Sequence, residues 1–169
     1  MTWDILIKLT HLLGTVLGVG GATFAEIFYL KSLRSGTINE TTGDFLKTTY
    51  RILRIGMIIL IISGFSYLIV NRLEGHAERL YSPRLWSKLT ITAILLLGVV
   101  AWQAKKIPIW LGSAVSLTSW WAALILGAWR GLGATYLEII VAYFLLVALM
   151  GIALSLIRKT LGVSHNPKT

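Results

Sequence analysis

Five apolar runs separated by polar connections decide what this chain can fold into. They lie at Ile5–Leu30, Ile52–Val70, Leu85–Trp102, Trp110–Trp129 and Tyr136–Ile157, each near or above the roughly 20 helical residues that cross a hydrocarbon core. A segment in lipid must satisfy its backbone hydrogen bonds internally, so runs of this kind fold as helices. The expected fold is therefore all-α, a polytopic membrane protein with a five-helix transmembrane bundle as one domain over residues 1–169. Composition agrees, with 56% hydrophobic and 14% charged residues, far from a soluble chain. The first run is read as a retained helix and not a cleaved signal. Asp4 stands where a basic leader would begin, the run is too long, and no good small-residue cleavage site follows.

The formal net charge is +9, but the basic residues mostly flank the apolar runs, where they suit anionic headgroups and topology. No basic, aromatic-rich recognition module accompanies them, so nucleic acid is not expected as a partner. With five spans the termini fall on opposite faces. One face holds ten Lys and Arg, among them Lys31, Arg34, Lys47, Arg51, Arg54 and Arg158; the other holds six, Lys8, Arg72, Arg79, Arg84, Lys88 and Arg130. The positive-inside rule then places the N-terminus outside and the C-terminus in the cytoplasm of a bacterial inner membrane. The connection 31–51 becomes an inner-face loop, in which Thr41, Thr42 and Asp44 can open a helix running into the second span. The chain has no cysteine, so disulfides, iron–sulfur clusters and thioether-linked haem are excluded, and any metal must use His, carboxylates or Met.

Odd-numbered helices all start from one face, so His11, Lys88 and Glu138 lie at similar depth near the outer interface, within about two turns of the starts of their spans. Ionisable groups at that depth are costly and usually face a protein interior or a wet cavity. The plainer reading is that Lys88 and Glu138 snorkel to the headgroups. His11 shares a narrow arc with Gly14, Gly18, Gly21 and Ala25 at about 100° per residue. Gly112, Ser116, Ser119, Ala123 and Gly127 form a similar stripe on the fourth helix. Small-xxx-small stripes let helices approach closely, so the first helix is expected to pack tightly, with the fourth as a candidate partner. The rival reading is that Gly14 and Gly18 make room for a flat ligand whose metal His11 reaches, a haem held by an axial imidazole being the obvious example. Trp120 flanks the stripe and is a candidate pocket wall, whereas Trp121 points toward lipid. His76, in the connection before the third helix, is a candidate second axial ligand or a weak metal site with Glu74 and Glu78, and more plainly an exposed loop residue. His165 is read as a solvated tail residue.

"KLTHLLGTVLGVGG" in the first helix and "YSPRLWSKLTITAILLL" opening the third resemble a superfamily of small bacterial membrane proteins that includes the copper-resistance D type. They are also similar to small membrane protoporphyrinogen oxidases that associate with b-type haem. The resemblance covers roughly 5–35 and 81–102, with a weaker likeness in "SLTSWWAALILGAWRG". It implies that His11 and Lys88 are a functional pair, as the matching histidine and lysine are in the oxidases. The chain departs from the oxidases in its fifth span and from the copper proteins in having three His and three Met.

The leading expectation is a membrane protein that binds haem b or a related porphyrin near its outer face, for porphyrin handling or electron transfer. In it His11 is the metal ligand or proton acceptor, Lys88 pairs with a ligand carboxylate, and Glu138 balances Lys88. Gly14, Gly18 and Trp120 complete the expected cofactor-binding set. Two rivals stay open: a copper-handling protein using His11 with Met57 or Met150, and a non-catalytic packing protein. Lipid is the expected partner, a homo-oligomer is allowed, and neither a redox partner nor an enzymatic reaction is specified.

Overall fold

The computed structural model describes residues 2–35, 40–129 and 131–160. They form five helices, α1 Thr2–Ser35, α2 Glu40–Leu73, α3 Pro83–Gln103, α4 Ile109–Ala128 and α5 Tyr136–Thr160, with a 3-10 turn, Ala77–Tyr81, between α2 and α3. All five helices are long and apolar enough to cross a membrane. The chain is a multi-pass membrane protein, and its outward Leu, Ile and Phe side chains, such as Phe65, Ile69, Leu145 and Leu149, suit contact with lipid.

The last three helices match the apolar runs to within a few residues, but the first two are much longer. At 34 residues each, α1 and α2 are about 51 Å long by the α-helical rise, against a core of roughly 30 Å. The expected inner-face loop over 31–51 is thereby corrected: apart from 36–39, which lies outside the described residues, this stretch is helical. Its polar side chains are no obstacle to helix outside lipid, and its contacts are local. Asp44 and Lys47 pair at 3.0 Å within α2, and the Phe28 and Phe45 rings stack across the hairpin at 5.3 Å.

The other ends are set by ordinary caps. The Ser82 hydroxyl accepts from the Leu85 N–H at 3.3 Å with Pro83 opening α3, the arrangement that serves orphan N–H groups at a helix start. After α2, Gly75 takes a left-handed φ of +77°, which lets His76 N–H return to the Asn71 carbonyl at 2.9 Å.

Two apolar clusters make the core, and α4 belongs to both. Val19, Ala22, Leu60, Leu95 and Trp120 join α1, α2, α3 and α4; Ile91, Ala122, Leu126, Ile139 and Tyr143 join α3, α4 and α5. Most buried hydroxyls are satisfied within the bundle, as lipid demands, although Thr118 Oγ1 is buried without a partner among the described residues. Thr15 Oγ1 donates to the His11 carbonyl at 2.9 Å, and Ser119 Oγ lies 2.9 Å from Tyr143 Oη.

The small-residue stripes are packing surfaces, with partners other than those expected. A Cβ on Gly14 would sit 2.8 Å from the Leu60 backbone nitrogen and 3.0 Å from the Gly56 carbonyl oxygen, and one on Gly21 would press on Leu53, so both glycines face α2. Only Gly18 receives α4, through the Trp120 ring, which occupies the place of its missing side chain. The α4 stripe looks elsewhere: Gly112 adjoins Trp102 of α3 and Gly127 adjoins Lys88 of α3, while Ser119 reaches α5. The two stripes therefore do not form one α1–α4 seam.

Candidate functional site

At the end of the bundle where α1, α3 and α5 begin, α1 and α2 meet through a histidine. One turn beyond the close Gly14–Gly56 crossing, His11 Nδ1 lies 2.9 Å from Ser63 Oγ, and its Cε1 would be 3.7 Å from a Cβ on Gly64. The Ser63 hydroxyl has one proton and lies 2.6 Å from the Ile59 carbonyl oxygen, which can only accept. Ser63 therefore donates to the backbone and accepts from His11. In that arrangement the Nδ1 proton faces Ser63 and Nε2 carries the lone pair, the form of imidazole that can ligate a metal.

Lys88 lies in the second turn of α3. It is half-buried, and its Nζ lies 3.9 Å from the place of a Cβ on Gly127 in the last turn of α4. One turn earlier on α3, Arg84 Nη1 donates to the Trp129 carbonyl at 2.8 Å. The site thus gathers an imidazole, an ammonium and a guanidinium. Among the described residues no hydrogen bond or ion pair joins any two of the three expected partners: His11 bonds Ser63, Lys88 lies by Gly127 and Glu138 bonds Thr135.

Glu138 has a different task. It is exposed, and its Oε2 accepts from the Thr135 N–H at 2.7 Å and from Thr135 Oγ1 at 2.9 Å. Glu138 N–H in turn reaches Thr135 Oγ1 at 3.4 Å. This is the reciprocal cap of a Thr-x-x-Glu box at the start of α5, so the expected charge balance between Glu138 and Lys88 is corrected. No other acid replaces it, because Lys88 forms no ion pair or hydrogen bond among the described residues, which include every Asp and Glu of the chain.

Packing also bears on three further residues. Trp120 is not a pocket wall: it is fully buried and seated on Gly18, which removes the flat slot expected along Gly14 and Gly18. Trp121 is 43% exposed, as a lipid-facing residue should be, but its Nε1 also donates to Thr23 Oγ1 at 3.3 Å. His76 lies 3.6 Å from Glu78, and among the described residues no group of three or more His, Asp and Glu is placed to hold a metal ion. His165 lies outside the described residues.

Sequence reasoning missed Ser63, Arg84 and an ion pair at the opposite end of the bundle. There Arg158 Nη2 of α5 donates to Glu26 Oε1 of α1 at 3.0 Å, with only 14% and 11% of the side chains exposed. The guanidinium carbon also lies 5.0 Å from the centre of the Tyr29 ring. The signal for this pair was faint: α1 and α5 end on one face, and Glu26 is the one acid in the second half of α1, followed by Lys31 and Arg34. Comparison with family models, with curated proteins and with solved structures found no match to this chain.

Proposed function

We propose that this chain is a bacterial inner-membrane protein that binds haem, or a related porphyrin, at the His11 end of its bundle, for porphyrin handling or electron transfer. One observation carries the reading: the same end of the bundle holds an imidazole bonded through Nδ1 to Ser63 and a half-buried lysine that has no acid to neutralise it. A haem iron takes a neutral imidazole nitrogen, and its propionates take a cation. His11 Nε2 and Lys88 meet those two needs. The filled glycine face does not contribute a slot, so the ligand belongs on the Lys88 side of His11. Bound there, haem would supply one-electron chemistry, while the chain's own residues hold the imidazole tautomer and neutralise a carboxylate. The resemblance of the His11 and Lys88 segments to haem-associated oxidases supports the same pair. The excess of basic residues at the opposite end supports placing the His11 end outside, with the C-terminus in the cytoplasm.

A packing or assembly role is the second reading, and the occupied glycine stripe favours it. Copper has less support, because Met57 packs against the apolar core and Met150 sits on α5, away from the helix pair that holds His11.

The test is haem per protein, by pyridine haemochrome, after expression with added haem precursor. Wild type should carry haem, His11→Ala should lose most of it, and Lys88→Ala should lose less. Wild type without haem overturns the proposal, and full retention by His11→Ala removes the assigned ligand.

A further inference from the structure

Arg84 and Lys88 stand four residues apart on α3, so their side chains share one face. Two like charges in that register repel each other, by a few tenths of a kcal/mol in an isolated helix. Both are nevertheless drawn to one place. Arg84 Nη1 bonds the Trp129 carbonyl at 2.8 Å, and Lys88 Nζ lies beside Gly127. The negative end of the α4 dipole offsets part of two cations, since it is worth about half an elementary charge.

No acid supplies the remainder. Asp4 pairs with Lys8, Asp44 with Lys47, Glu26 with Arg158 and Glu78 with His76. Glu138 caps α5, Glu74 is exposed in the connection after α2, and Glu40 opens α2 at the far end. A lysine that only snorkelled would extend its ammonium into the headgroups, whereas this one lies half-buried against Gly127 of α4.

We propose that Arg84 and Lys88 form a two-cation anchor for a ligand with two carboxylates on one edge, so that the site selects the porphyrin diacid over its esters. The inference rests on the porphyrin reading above and adds Arg84 as a specificity-determining residue. The two propionates of haem lie on one edge of the macrocycle, and two cations on one helix face present the matching charge.

The test uses the full chain in neutral detergent, titrated with haemin, its monomethyl ester and its dimethyl ester, and followed by Soret absorbance. Charge-assisted hydrogen bonds of this kind are worth about tenfold or more each in affinity. Haemin should therefore bind roughly tenfold more tightly than the monoester and the monoester more tightly than the diester. Arg84→Gln and Lys88→Gln should each weaken haemin about tenfold and leave the diester within about twofold, and Arg84→Lys should restore most of the loss. If wild type binds all three equally, the anchor is overturned while the porphyrin reading stands. If it binds none of them, the porphyrin reading fails and takes the anchor with it. Arg84→Gln also removes the contact to Trp129, so a fall in diester affinity and thermal midpoint together, unrescued by Arg84→Lys, would assign Arg84 to holding α4 and overturn its role in specificity.

Discussion

A glycine in a membrane helix means that something approaches closely, and the neighbour decides what a side chain there would cost. A methyl group on Gly14 would meet backbone atoms of Leu60 and Gly56, which cannot move without parting α1 from α2. Gly14→Ala should therefore destabilise the protein by about 1–3 kcal/mol, the usual range for overpacking. Gly20 has nothing within 4 Å of its missing Cβ, so Gly20→Ala should be neutral or stabilising by about 0.5–1 kcal/mol through helix propensity. Thermal midpoints in detergent compare the two, and equal effects would contradict the packing assigned to Gly14. The spacing of His11, Gly14, Gly18 and Gly21 was legible in the sequence because it follows from the helical period alone. The neighbours were not, because a small-residue stripe records close approach without recording whose atoms approach. Ser63 illustrates a second limit: its value lies in reaching His11 across 52 positions, and no local pattern marks it. Ser63→Ala should leave the fold intact, free the imidazole to take either tautomer, and weaken haem binding about tenfold or more, as losing the partner of a ligating histidine does. Haemin titration checks it, and unchanged affinity would remove the tautomer argument.

Helix ends show a similar division between what local chemistry dictates and what the bundle adds. Thr135-x-x-Glu138 is a capping-box sequence, a local pattern that by itself assigns the Glu138 carboxylate to the start of its own helix and away from Lys88. Shared depth along three helices suggested a charge pair, but depth does not fix azimuth, and Glu138 lies where its own helix start can use it. Glu138→Ala should lower the thermal midpoint slightly by loosening the first turn of α5 and leave haem affinity unchanged. A loss of haem affinity matching that of Lys88→Ala would return Glu138 to the site. The long α1–α2 hairpin was legible only in part: Thr41, Thr42 and Asp44 signalled the polar start of α2, and nothing marked the last turns of α1. Apolar periodicity ends where lipid ends, so the runs marked the spans but not the polar turns of helix beyond them, which depend on contacts such as Phe28 on Phe45.

At the scale of the molecule, five apolar runs were enough to specify five spanning helices, because the bilayer leaves an isolated apolar segment few alternatives. How the helices are tied together required the third dimension. α4 anchors the bundle through both core clusters, while α1 and α5 are linked at their far ends by Glu26 and Arg158. Both side chains of that pair are nearly buried, and the Arg158 Nε is buried without a hydrogen-bond partner among the described residues, so the pair is costly to desolvate as well as attractive. A buried pair of this kind contributes little net stability against an apolar replacement, whereas removing one member strands the other and costs about 3–5 kcal/mol. Glu26→Met and Arg158→Met should therefore each lower stability markedly, with Arg158→Met also losing the contact over Tyr29. The double variant Glu26→Met with Arg158→Met should recover much of the loss, because no unpaired charge then remains between α1 and α5. Unfolding in mixed micelles of graded denaturing-detergent fraction measures all three. Additive losses in the double variant would mean that the two residues act independently and that the link between α1 and α5 is not the ion pair.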